Sequence, residues 1–322
     1  MTREKTVGVI VINYGKYRVT AACADSVLQS DYRPLELHII DNGSAGEDYQ
    51  WLKNHYRDKA QVYRIEKNIG YVGAVNFGLK KCLEKQHEYI LIINNDSIIE
   101  KHALQALVQT SRKHSDHCIV SGKVYHFDQP EYLQYIGQGC ADRARLIFPP
   151  LVKNRMEKDT GQYDREMEMG MLDDIFWLLP DVVFKKVGYY SPYFFLYGEQ
   201  NDYALRAVDQ GFKLIYTPRA KLWHKGSITT SGGDKKSPRL TFWRTKSFLV
   251  LLTLHSRPGY LFTRFFKLLF RKVIIGLPVS LVKEIRGHKG AVKNSYATLW
   301  ALVYFVTWFF WRRPDKGFNP FR

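Results

Sequence analysis

The stretch Tyr89-Ile90-Leu91-Ile92-Ile93-Asn94-Asn95-Asp96 constrains this chain most. An apolar, largely β-branched run that stops at three polar residues reads as a strand buried on both faces, as in parallel sheets covered by helices. In open α/β sheets ligands sit beyond the carboxyl ends of the strands. Asn94, Asn95 and Asp96 therefore stand where chemistry is expected. A carboxylate between amide neighbours suits a divalent cation, because hard cations take oxygen ligands. The plain alternative is an Asn/Asp turn that caps the next helix.

Other segments repeat the form. Val7 to Ile12 stops at Asn13-Tyr14-Gly15, and Leu35 to Ile40 stops at Asp41-Asn42-Gly43-Ser44. Gln61 to Ile65 is a shorter strand. Helical spacing over 17–29, 73–85 and 102–113 alternates with these strands, which predicts βαβ units and a mostly parallel sheet. Residues 125–170, with Pro130 and Pro149-Pro150, are irregular and read as an insertion lining a binding face. Strand-then-helix character resumes at 175–186, helical spacing at 202–210, and a short strand is expected at 214–216 before Pro218. The body, 1–234, is expected to end in the Ser/Gly-rich segment Ser227 to Gly233.

The net charge of +17 is concentrated in one region. Residues 235–322 carry 18 Lys and Arg against two acids, Glu284 and Asp315, while the body is nearly balanced. Phe242-Trp243, Phe248 to Leu252, Phe265-Phe266 and Leu268-Leu269-Phe270 make this tail too apolar for a solvated nucleic-acid arm, so no nucleic acid is expected. Basic residues among Trp, Phe and Leu at helical spacing describe helices in a membrane interface, where anionic lipid adds roughly 1 kcal/mol per Lys or Arg. An ordinary helical subdomain with a basic exterior is the alternative. Tyr296 to Trp311, at 16 residues, falls short of the roughly 20 needed to span a bilayer. The N-terminus leads into a strand with no apolar leader, and Cys23, Cys82, Cys118 and Cys140 show no metal or redox spacing. The expectation is a cytoplasmic protein, peripheral on the inner face of the cell membrane.

No GxxxxGK[ST] loop is present and no GxGxxG follows the first strand, which disfavours P-loop and dinucleotide-binding enzymes. Gly70, Gly73 and Gly78, within Asn68 to Gly78, allow close backbone approach at a helix start, as a nucleotide or phosphate requires.

Taken in order, Val9 to Tyr14, Ile40 to Ser44, Asn68 to Gly78, Ile93 to Asp96, Asp159 to Asp164, Tyr193 to Glu199 and Leu222 to Gly226 resemble the family 2, GT-A-type inverting glycosyltransferases, in the rhamnosyltransferase-like branch. The likeness covers residues 7 to about 227. It implies a GT-A α/β fold with a mostly parallel central sheet, followed by the basic amphipathic helices of 235–322. It implies that Asn13, Tyr14 and Asp41 hold the donor's base and ribose, flanked by Asn68 and Asn76. Asn94-Asn95-Asp96 stands at the family's DxD motif, with Asp96 on a Mg²⁺ or Mn²⁺ ion, His224 as second ligand and Trp223 beside it. The donor would be a UDP- or dTDP-sugar, with rhamnose a candidate sugar, and the acceptor a glycan hydroxyl. The tail suggests a lipid-linked acceptor in bacterial surface polysaccharide synthesis.

The chain departs from the family in two places. The family's acidic pair is Glu199-Gln200 here, and its second member, the usual base, cannot accept a proton. Glu199 becomes the first choice for base and Asp202 the second, with helix capping the alternative for Asp202. The Arg-Asn pair after an aromatic doublet is replaced by Arg244-Thr245-Lys246, where Lys246 would face the diphosphate. Asp173-Asp174 falls where relatives line the acceptor side, which makes Asp174 an acceptor candidate and Trp223 another. Two rivals remain: a sugar nucleotidyltransferase, which should show a Gly-rich basic loop after the first strand, and a non-catalytic membrane- or nucleic-acid-binding protein with a degenerate transferase body, the reading Gln200 favours.

Overall fold

The computed structural model describes residues 4–226, 237–286 and 291–321. The expected end of the body at Ser227 to Gly233 lies outside the described residues. In chain order the body runs β1 (Val7–Asn13), α1 (Tyr17–Leu28), β2 (Leu35–Asn42), α2 (Gly46–His55), β3 (Gln61–Ile65), α3 (Gly70–Glu84), β4 (Tyr89–Ile93), β5 (Ser97–Ile99), α4 (Ala103–Lys113) and β6 (Cys118–His126). The insertion adds β7 (Tyr132–Tyr135), β8 (Glu157–Lys158) and β9 (Met167–Glu168), followed by β10 (Phe176–Pro180), α5 (Asp181–Val187), α6 (Glu199–Asp209) and β11 (Lys213–His224).

One sheet carries the body, in the order β3-β2-β1-β4-β10-β6-β11-β5. β3, β2, β1 and β4 are parallel; β10 runs antiparallel between β4 and β6. Alternation along β1 explains the two cores: Val7, Val9 and Val11 face α1 and α4, while Ile10 faces α3, because successive strand residues point to opposite faces. The register sets Asn13 beside Asp41, so the polar ends of β1 and β2 form one edge.

Two boundaries differ from expectation. The strand before Pro218 continues to His224, with a register break against β6 between Thr217 and Lys221. Proline cannot donate to a ladder but is tolerated at such a bulge. The last helix of the body begins at Glu199 rather than 202, after Gly198 at φ +86°. The irregular insertion is tied to the sheet by buried Lys123, whose Nζ donates to Asp159 at 2.6 Å and Asp164 at 2.5 Å.

The tail consists of α7 (Pro238–His255), α8 (Pro258–Leu268), a π-helical turn (Leu269–Ile274), α9 (Gly276–Ile285) and α10 (Ala291–Trp311). Ser237 caps α7 by accepting from Leu240 N–H, with Pro238 at the first helical position. Leu249, Val250 and Leu252 of α7 join the cluster that contains Ile10 and Trp177. Phe242 and Trp243 are buried against Phe195 and α10. This corrects the reading of the whole tail as interfacial: α7 and the inner side of α10 belong to the protein core. By contrast, Leu261 and Val273 are the buried residues across α8, the π turn and α9. No helix among the described residues is long and apolar enough to cross a membrane.

Candidate active site

The carboxyl ends of β1, β2 and β4 carry a buried polar network. Asn13 Nδ2 donates to Asp41 Oδ1 at 2.7 Å and to Ser44 Oγ at 3.0 Å. Thr20 Oγ1 donates to Asn13 Oδ1 at 2.7 Å and accepts from Asn95 Nδ2 at 2.9 Å. Asn13 and Asp41 are fully buried, so Asn13 acts as a strut that orients Asp41 and Ser44, while Tyr14 beyond it is exposed. Asn94 is half-buried, its backbone N–H donating to Ile175 O at 2.8 Å.

The amides around α3 hold backbone. Asn68 Oδ1 accepts from Gly70 N–H at 2.8 Å. Asn42 bridges the same loop, donating to Gly70 O and accepting from Ile69 N–H. Asn76 both donates to Tyr190 O at 3.0 Å and accepts from Tyr190 N–H at 2.9 Å. Both ends of the Asn76 amide, expected to flank the donor, hold this loop. Gly70 sits at φ +82°, and a Cβ there would lie 2.6 Å from Phe195 O. Glycine is what lets the start of α3 touch the loop leading to Glu199, where Tyr71 N–H donates to the same carbonyl.

β4 ends one residue before Asn94, and β5 turns back to pair antiparallel with β11, aligning Ser97 with His224. This brings Asp96 Oδ1 to 3.1 Å from His224 Nε2. His224 Nδ1 lies 2.6 Å from Gln134 Oε1, an atom that only accepts, so Nδ1 carries the ring proton. The amide nitrogen of Gln134 faces His126 Nδ1 at 3.4 Å, which fixes the orientation of that amide. Nε2 then presents a lone pair towards a carboxylate oxygen, an arrangement completed by a proton or a metal cation. The donor set fits a Mg²⁺ or Mn²⁺ ion, with Gln134 orienting the imidazole as outer-shell partners do.

A carboxylate cluster lies on the same side. Asp174 Oδ2 accepts from Tyr71 OH at 2.9 Å and Tyr190 OH at 3.2 Å. Burial, then the neighbouring charge of Asp173, push its carboxyl up to about 7 despite those hydroxyls. Asp173 is also raised, chiefly by burial, with the Arg155 guanidinium among the groups opposing the shift. Glu199, the first residue of α6, is pushed well above the usual carboxylate range by burial, then by Asp174. Its Oε2 is buried with no protein hydrogen-bond partner. A proton acceptor held this way is a stronger base than an exposed carboxylate.

Other sequence candidates fall elsewhere. Asp202 accepts from Arg206 Nε at 2.9 Å and pairs with His255 Nε2 at 2.8 Å. Both oxygens are engaged, so Asp202, the second-choice base, ties α6 to α7. Trp223, the other acceptor candidate, stacks on Tyr125 with centroids 5.9 Å apart, and strand alternation turns it to the opposite face from His224. Lys246, expected to face the diphosphate, is buried in an ion pair with Asp315 and sits 4.1 Å from the Trp243 ring centroid. Its charge is already matched. Gln134, Thr20, Tyr71 and Tyr190 were missed as site residues. Tyr71 alone had a local signal, inside the glycine-rich segment.

This sheet order, with a carboxylate and a histidine meeting at its edge, is the GT-A fold. A solved structure of GalNAc-T7 with UDP, GalNAc and Mn²⁺ superposes with TM-score 0.62 at 15% identity, covering 79% of this chain and 48% of that one. The family model for glycosyl transferase family 2 matches residues 8–188, and the chain belongs to that family. Among its relatives is the low-salt glycan biosynthesis hexosyltransferase Agl10 of Haloferax volcanii, 25% identical over 53% of each chain. Another is the galactofuranosyltransferase GlfT2 of Mycolicibacterium smegmatis, 20% identical over 62% of this chain and 32% of that one. A third is the Escherichia coli UDP-Gal:alpha-D-GlcNAc-diphosphoundecaprenol beta-1,3-galactosyltransferase, 25% identical over 32% of this chain and 37% of that one. The chain thus spans about half or less of these curated relatives.

Proposed function

We propose that this protein is an inverting, metal-dependent glycosyltransferase that moves a sugar from a UDP- or dTDP-linked donor to a hydroxyl of a lipid-linked glycan at a membrane surface. The observation that carries the reading is the buried, unpartnered Glu199 carboxylate oxygen on the same sheet edge as the Asp96–His224 pair. In this reading Asp41 and Tyr14 would bind the nucleoside, and Asp96 with His224 would hold the cation. When bound, that cation neutralises the diphosphate leaving group. Glu199 takes the acceptor hydroxyl's proton as the acceptor oxygen bonds to the anomeric carbon from the face opposite the diphosphate. The sugar–phosphate bond breaks, its electron pair leaves with the nucleotide, and the anomeric centre inverts. Asp174, Tyr71 and Tyr190 keep Glu199 in an acidic, dry setting. Gln200 does not remove the base in this reading, because Glu199 itself opens the helix.

The relatives of known substrate class support a sugar donor, and the E. coli one acts on a diphosphoundecaprenol-linked sugar. Support for a membrane partner comes from the outer face of the tail. Phe262, Phe266 and Phe270 are each more than half exposed, beside a groove lined by Arg264, Lys267, Arg271 and Lys272. Apolar side chains flanked by basic ones match an anionic lipid surface.

The test is nucleotide release from a panel of UDP- and dTDP-sugars, with and without Mn²⁺ or Mg²⁺. Metal-dependent release from one donor, lost in Asp96→Ala, is expected. Absence of binding to every donor would remove the transferase reading.

A further inference from the structure

Away from the catalytic edge, towards the amino ends of the central strands, three side chains from separate elements converge: His38 of β2, Cys82 of α3 and His87 just before β4. All three are buried, and their ligand atoms lie within 4.8 Å of one another. The Nε2 atoms of the two histidines are 3.1 Å apart, with the rings edge-to-face at 76°. Gly8 of β1 makes the convergence possible. A Cβ there would lie 2.5 Å from the His87 ring and 2.7 Å from Cys82 Sγ.

Two imidazole nitrogens at this distance cannot both present lone pairs unless a proton or a cation joins them. Zinc–nitrogen bonds of about 2.0–2.1 Å in a tetrahedral site place two nitrogens about 3.3 Å apart. Glu36 stands on the open side. Its Oε2 is 3.5 Å from His87 Nε2, and its Oε1, 3.9 Å from Lys85 Nζ, is buried without a hydrogen bond. Because Glu36 is only half-buried, it also marks a route in from solvent.

We propose that His38, Cys82 and His87, with Glu36 closing the fourth position, form a structural zinc site distinct from the catalytic cation. One thiolate and two imidazoles favour zinc over Mg²⁺ or Mn²⁺, which prefer oxygen. Binding forms the Zn–S bond and releases the Cys82 proton to solvent. The ion would staple β2 to α3 and to the start of β4, and it does not depend on the transferase reading.

The experiment uses the full chain carrying no polyhistidine tag. After exhaustive exchange into Mg²⁺ buffer, one equivalent of zinc is expected to remain. Replacement by Co²⁺ should give a thiolate-to-cobalt charge-transfer band. The band should persist in Asp96→Ala and in Cys140→Ser, which removes the exposed thiol, and vanish in Cys82→Ser. If Cys82→Ser does not fold, the wild-type cobalt spectrum decides alone. Folded wild-type protein that retains no zinc and gives no such band overturns the proposal. Retained zinc without the band also overturns it, because the metal then lies away from Cys82.

Discussion

The body and the tail solve the same problem, burying apolar surface, with opposite treatments of what is left outside. In the body the charges are nearly balanced and knitted into ion pairs such as Lys123 with Asp159 and Arg206 with Asp202. Its exposed large apolar residues, such as Tyr14, Trp51 and Phe127, are scattered. In the tail, α7 and α10 give their inner sides to the core, and α8 and α9 leave a largely exposed face of apolar and basic side chains outside. Ile285 on that face is 85% exposed. Isolated exposed apolar residues need no explanation, but a contiguous patch marks an interaction surface. The body's site needs depth to raise a carboxylate's basicity, whereas the membrane contact proposed for the tail would need reach.

If the division is right, damage to one region should leave the other's function intact. Glu199→Gln should lower turnover by about 10²- to 10⁴-fold, with donor binding and vesicle binding unchanged. Normal turnover in that variant would send the search for the base elsewhere in the cluster. The tail's inner side should behave as body. Lys246→Ala leaves Asp315 buried and unpaired, which costs about 3–5 kcal/mol, measured by denaturant unfolding. By the same logic a chain cut at residue 240 should fail to fold rather than come off membranes cleanly, since it lacks Phe242, Trp243 and Leu249 of the core.

The outer side should act alone. Phe262→Ser/Phe266→Ser/Phe270→Ser should abolish sedimentation with anionic vesicles, since each Phe contributes about 1.5–3 kcal/mol on full burial. The melting temperature and nucleotide release should not change. Binding that survives in this variant, or that ignores salt, would place the contact elsewhere.

The smallest effect separates basicity from stability within the body. Asp174 carries a carboxyl pushed up to about 7, against about 3.9 unfolded. Between those values the folded state binds more protons, so stability falls as pH rises from about 4 to 7 and then levels off. Asp174→Asn keeps an acceptor for Tyr71 and Tyr190 and removes the charge. It should therefore raise the melting temperature more at pH 8 than at pH 4. It should also shift the acid limb of the kcat/KM profile to lower pH, because Asp174 is among the causes holding Glu199 up. A melting difference independent of pH would break this account.

The strands that run out into polar residues at Asn13, Asp41 and Asp96 were legible in the chain, because an abrupt apolar-to-polar step along a strand is local information. The split in charge between body and tail was legible there too. Which polar groups are already engaged within the protein became visible with the packing of distant segments. Asn76 is tied to Tyr190, Asp202 to His255, and Lys246 to Asp315, each across many residues of chain. Periodicity carries no record of such pairings. The cysteine spacing showed no metal motif because the partners of Cys82 are histidines brought close by β2 and β4, not by neighbouring sequence. The tail's helical pattern showed that it buries an apolar side. Whether that side meets protein or stays exposed was settled by packing, since a core and a bilayer reward the same residues.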